Sequence, residues 1–130
     1  MNFNNFYWFS LFVAMNGLIL VLLAINVSLI RIRNRISYGD GGNKELLKAI
    51  RVHANGIEQV PVFSLLLLAL TLNSVSSSVL SAFVVVFTFA RCSHAVGMLF
   101  GIHRARQVGA GITYLLQCVA VVVLLLRVLW

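Results

Sequence analysis

Charge is scarce in this 130-residue chain. Asp, Glu, Lys and Arg make up 10% of it, and only three residues are acidic. Soluble domains carry about 25% charged and about 45–50% apolar residues, whereas 61% of this chain is hydrophobic and its mean hydropathy is +0.99. A chain this short keeps much of its surface wet and cannot hide such an excess in one core. An ordinary soluble enzyme, a disordered tail and a secreted disulfide scaffold are excluded. Cysteine is equally sparse: Cys92 and Cys118 lie in apolar stretches and form no CxxC, which removes the basis for a disulfide framework or a metal site. Proline occurs once, as Pro61, inside an apolar stretch where it lacks a donor and crowds the Ile57 carbonyl, so a kink is expected there.

What is abundant is apolar length. A bilayer core takes roughly 20 apolar residues per helix, and four stretches qualify, at about 7–30, 49–72, 79–100 and 109–129. The expected fold is an all-α membrane protein, a single four-transmembrane-helix bundle. The first stretch lacks a basic leader and is too long for a signal peptide, so it is expected to stay as a span. The connections differ in charge. Segments 31–48 and 101–108 are basic, while 73–78 is neutral and serine-rich. The positive-inside rule then places both basic loops in the cytoplasm and both termini outside. Arg127 argues the other way, against seven basic residues in the two loops.

A net charge of +7 raises nucleic acid as a partner, but basic residues flanking apolar spans read as topology signals and anionic-lipid contacts. No nucleic-acid partner is expected; the bilayer is. The glycine cluster Gly39, Gly41, Gly42 precedes Lys44 without the spacing or following Ser/Thr of a phosphate-binding loop.

Polar residues at membrane depth are costly, with a central charge costing about 2.5–3.5 kcal/mol on insertion scales. The second span nevertheless carries Arg51, His53, Asn55, Glu58 and Gln59. At about 100° per residue, Arg51, Asn55 and Glu58 fall within about 60° of one another, one stripe of cation, amide and carboxylate. Arg51 and Glu58 are separated by roughly 10 Å of helical rise, so each wants another partner, and a zwitterionic ligand satisfies both. The structural alternative is an ion pair between Glu58 and Arg91 across a helix interface. His53 lies off the stripe and suits an interhelical hydrogen bond. In the third span Arg91, His94 and Met98 share a face, and Gly97 with Gly101 makes a GxxxG, which permits close helix approach.

The run Ala49-Ile50-Arg51-Val52-His53-Ala54-Asn55-Gly56-Ile57-Glu58-Gln59-Val60-Pro61 resembles the R-x-x-x-N-x-x-E-x-x-P signature of the MAPEG family (membrane-associated proteins in eicosanoid and glutathione metabolism). The arginine-rich segment before Gly39-Asp40-Gly41-Gly42 is similar to the bacterial branch. Ala90-Arg91 and the stretch from Arg104 to Arg106 also fall where the family has arginines. The resemblance implies a homotrimer that binds glutathione, or a similar thiol, between subunits near the cytoplasmic face. It gives Arg51 a glutathione carboxylate, Asn55 the backbone and Glu58 the γ-glutamyl ammonium. His53, Arg91 and His94 are further candidates for the substrate site. An arginine of the 31–35 group of the neighbouring subunit, Arg31 among them, completes it.

Catalysis would rest on an arginine near the start of the fourth helix that stabilises the thiolate. Arg106 and Arg104 are the candidates, with Arg106 preferred. A free thiol, with a pKa of about 8.5, is mostly protonated at neutral pH. Gln59, His94 and Met98 stand where many family members have tyrosines. The implied activity is a membrane-bound transferase or peroxidase acting on lipophilic electrophiles. The alternatives are a non-catalytic trimeric adaptor of the same fold, or a small proton-coupled transporter.

Overall fold

The computed structural model describes residues 3–130, with side chains from Phe6 onward. It consists of four helices in sequence: α1 (Phe3–Asn34), α2 (Lys44–Leu72), α3 (Ser77–Leu99) and α4 (His103–Leu129). All four are long and apolar enough to cross a membrane, and no strand occurs among the described residues. In hydrocarbon every backbone polar group needs an internal partner, and a helix supplies it within one segment. The expected four-span all-α bundle is the fold observed.

The helices reach beyond the apolar stretches because capping continues them into the polar interface. Asn43 accepts from the Leu46 N–H at 3.0 Å and starts α2 before the apolar run begins; such a cap satisfies a donor that has no intrahelical partner. Segment 101–108, read as a loop, is helical from His103 onward, so Arg104 and Arg106 sit on the first turns of α4. At the other basic connection α1 ends with Arg35 in the left-handed region (φ 55°) and the Ile36 N–H returning to the Arg31 carbonyl. Gly39, Gly41 and Gly42 all take positive φ, which glycine alone adopts freely. The glycine cluster is therefore a chain reversal, and the Arg31 guanidinium ties it down through bonds to the carbonyls of Gly39 (2.9 Å) and Ile36 (3.4 Å).

α2 and α3 form the middle of the bundle. α1 and α4 each pack against both, with no close backbone approach to each other among the described residues. Towards the end remote from the basic segments, Phe12, Phe63 and Phe87 are fully buried. Phe63 and Phe87 stack at 4.0 Å, and Phe12 closes on both at 5.5 and 5.3 Å. Aromatic contacts of this kind add about 0.5–1.5 kcal/mol beyond the area they bury. Close by, Asn16, 1% exposed, donates to Thr88 Oγ1 at 3.0 Å and joins α1 to α3. Smaller clusters around Leu23, Val52 and Ala95, and around Ile30, Leu46 and Ala49, carry the packing to the basic end. α2 runs as one helix through Pro61, whose side is exposed.

The GxxxG expectation needs correction. A Cβ on Gly97 would overlap the backbone of Ala105 and Arg106, so Gly97 does permit close approach, but Gly101 has open space around it and sits in the α3–α4 turn with φ +74°. The second contact glycine is Gly109 of α4, where a Cβ would overlap the Ala90 carbonyl and the His94 backbone. Reciprocal glycines on two facing helices cannot be recognised as a pair in one helix's spacing.

Candidate functional site

The close seam between α3 and α4 sets the site's geometry. Ser93 donates to the Ala105 carbonyl at 3.0 Å. His94 Nδ1 lies 3.2 Å from the Arg106 carbonyl; a carbonyl can only accept, so Nδ1 carries the proton in this contact. Two adjacent α3 side chains thus clasp consecutive carbonyls in the first turn of α4, and the glycines let the backbones meet. Ser93, Gly109 and this clasp were not legible in the sequence.

The clasp brings Arg106 over the polar stripe of α2. Arg51, Ala54, Asn55 and Glu58 of α2, His94 and Met98 of α3, and Arg106 of α4 line one cleft of about 140 Å³. Arg91 lies beneath it, 4% exposed, and its Nη2 donates to Asn55 Oδ1 at 2.9 Å. This bond uses the amide oxygen, leaving the Asn55 Nδ2 hydrogens to face a ligand acceptor. The Glu58–Arg91 ion pair does not form. The ion pair present among the described residues joins Arg33 to Glu45 at 3.8 Å, both exposed. A buried guanidinium needs several acceptors, and an amide meets part of that need without neutralising Glu58. The cleft therefore holds one carboxylate and two guanidiniums, with an amide and an imidazole at its wall. His94 Nε2 is buried without a hydrogen-bond partner.

The other candidates fall elsewhere. Arg104 is exposed and does not line the cleft. His53 is half-buried, off the cleft, and makes no side-chain hydrogen bond among the described residues, so the interhelical bond expected of it is not formed within this chain. Arg31 lines a separate, open cavity of about 410 Å³ with Ser28, Ile32, Arg35, Ile36 and Ser37. Gln59 turns from the cleft, and its carbonyl accepts from Gln117 of α4 at 3.3 Å. Among the described residues no group of His, Cys, Asp and Glu could hold a metal ion.

The family model for the MAPEG family matches residues 9–126. The chain belongs to the MAPEG family. Its curated relatives include the inner membrane protein YecN of Escherichia coli, from strain K12 and from the O6:H1 strain CFT073. Each is 30% identical over 121 residues, which covers 93% of this chain and 89% of the relative. No solved structure matches the chain. Among MAPEG features expected in the sequence, the α2 stripe, the α3 residue His94 and the α4 residue Arg106 share one cleft in the structure, although they come from three helices.

Proposed function

We propose that this MAPEG protein is a membrane-bound, thiol-dependent transferase or peroxidase that takes glutathione as its thiol and acts on lipophilic electrophiles drawn from the bilayer. The observation that carries this reading is the convergence of Arg51, Asn55, Glu58, His94 and Arg106 on one cleft. A tripeptide thiol with two carboxylates and an ammonium suits that set. Arg51 pairs with a carboxylate, the Asn55 Nδ2 hydrogens with a backbone carbonyl, and Glu58 with the γ-glutamyl ammonium. Arg106, the cation at the α4 edge, is left for sulfur. A guanidinium beside a thiol favours the anion, and each tenfold gain in the ratio of thiolate to thiol corresponds to about 1.4 kcal/mol of that preference. In conjugation the thiolate forms a C–S bond to an electrophile from the lipid side as the carbon's bond to its leaving group breaks with the electron pair. In peroxide reduction it takes the terminal oxygen as the O–O bond breaks and the alcohol leaves. A second glutathione then converts the sulfenic acid to disulfide and water. Arg104 has no part in this.

The cleft also supports a second copy at the site. Its 140 Å³ falls below the roughly 300–1,000 Å³ usual for small-molecule sites. Arg51 and Glu58 are exposed on a membrane-spanning helix, where charged groups are expensive against lipid. A neighbouring subunit covering this face, with its Arg31 reaching in, supplies the wall and removes the cost. A homotrimer accomplishes this. Bacterial inner-membrane residence, as the YecN name states for that relative, with the basic end in the cytoplasm and both termini outside, puts the site on the glutathione-bearing side.

Calorimetric titration of glutathione into the detergent-purified protein tests the reading. Saturable heat that disappears in both Arg51→Ala and Glu58→Gln is expected. No heat and no thermal shift up to millimolar glutathione would sink it and return the stripe to a structural role.

A further inference from the structure

A further cavity opens at the basic end, on residues that line neither the cleft nor the Arg31 cavity. It measures about 330 Å³ and is bounded by Asn26 and Ile30 of α1, Lys44, Glu45 and Lys48 of α2, and Leu99 and Phe100 at the end of α3. Its two halves differ in chemistry. On one side Lys44 and Lys48, one helical turn apart, place their ammonium groups on the same face of α2. Neither forms an ion pair among the described residues, and the charge of the cavity's one carboxylate, Glu45, is offset by Arg33 at 3.8 Å. The N-terminal end of the α2 dipole points into the same region, with the Leu46 N–H capped by Asn43. On the other side Ile30 and Leu99 belong to the packed core and Phe100 is 75% exposed.

We propose that this cavity binds one anionic phospholipid from the leaflet at the basic end, its phosphate between Lys44 and Lys48 and its acyl chains along Ile30, Leu99 and Phe100. The apolar wall selects a lipid over a free phosphate, since an inorganic ion gains nothing from a phenyl ring and two aliphatic side chains. The unpaired lysines select an anionic headgroup over a zwitterionic one, whose own ammonium they repel. Location favours the same occupant. Seven of the ten Lys and Arg residues lie in segments 31–48 and 101–108 at this end of the helices, and basic pockets between membrane helices bind acidic headgroups. Asn26 offers an amide to the glycerol esters.

Native mass spectrometry of the full chain, released from detergent with phosphatidylglycerol or phosphatidylethanolamine, reads this directly. The wild type is expected to retain phosphatidylglycerol preferentially. Lys44→Gln with Lys48→Gln should weaken that retention about tenfold, while Lys44→Arg with Lys48→Arg and the remote Arg127→Gln keep it. Equal retention of both lipids by the wild type, or unchanged retention by the Gln pair, overturns the proposal. So does displacement of phosphatidylglycerol by millimolar inorganic phosphate, which would mark a plain anion site. Should the Gln pair fail to fold, photoactivatable phosphatidylglycerol on the wild type decides. Crosslinks to the peptides bearing Lys48 and Phe100 support the site, and crosslinks confined to other peptides refute it.

Discussion

At the scale of single residues, the contact between Arg91 and Asn55 decides how the polar stripe works. Had Arg91 met Glu58, the stripe's only carboxylate would be neutralised inside the bundle. Instead the amide takes the guanidinium, and Glu58 stays exposed at the cleft. A double-mutant cycle separates these cases. Asn55→Ala with Arg91→Leu should show coupling of about 1 kcal/mol, within the range for polar contacts between membrane helices. Glu58→Gln with Arg91→Leu should be additive within about 0.5 kcal/mol. The two α4 arginines also separate. Removing one preorganised group that stabilises developing charge costs about 100- to 1,000-fold in kcat. Thiol-conjugating activity should fall by that amount in Arg106→Ala and by less than about threefold in Arg104→Ala, whose side chain lines no part of the cleft. The resemblance named both arginines, with Arg106 preferred and the choice left open, because which of two residues about 200° apart on a helix faces the cleft depends on that helix's rotation against its neighbours.

Among the elements, the α3–α4 seam is the most demanding. Gly97 and Gly109 let the helices meet backbone to backbone, while Ser93 and His94 hold the carbonyls of Ala105 and Arg106. Gly109→Ala drives a methyl into the Ala90 carbonyl and the His94 backbone; overpacking of this sort costs about 1–3 kcal/mol. Gly111, a little further along the same helix, has nothing within 4 Å of the place a methyl would take, so Gly111→Ala should be neutral or slightly stabilising through helix propensity. Thermal unfolding of the two variants side by side checks the contrast. Activity should follow stability only in Gly109→Ala, since that change also moves Arg106. In the aromatic core Phe63→Ala empties the space between Phe12 and Phe87 and should cost about 3–5 kcal/mol.

On the scale of the whole molecule, the asymmetry of the bundle matters most. α1 and α4 present long apolar faces, including Leu18, Val21, Leu22, Ile25, Leu115, Val122 and Leu126, which are exposed in the single chain and suit lipid. α2 instead exposes Arg51 and Glu58. Such a face is expected against a second copy, so crosslinking of the reconstituted protein should give trimers, and an intersubunit crosslink should join the Arg31 end of α1 to the cleft face of a neighbouring α2. Orientation is testable on the same material. With Cys92 and Cys118 replaced by Ala, Tyr38→Cys, at an exposed position of the same connection, should react with an impermeant reagent only from the cytoplasmic side. Ser76→Cys should react only from the outside, as the positive-inside reading of the basic loops predicts.

The sequence by itself determined the number of spans, the polar stripe and the family, because each is written locally. Hydrophobic length counts residues along one segment, and a stripe on one helix follows from its 100° periodicity. Only the tertiary structure decided which stripe residue holds Arg91, that Gly109 rather than Gly101 partners Gly97, and that Arg106 rather than Arg104 reaches the cleft. Those outcomes depend on the rotation and axial offset of one helix against another. Every span here is apolar on much of its circumference, so hydrophobicity leaves that rotation undetermined, and backbone contact at glycines together with a few buried hydrogen bonds selects it.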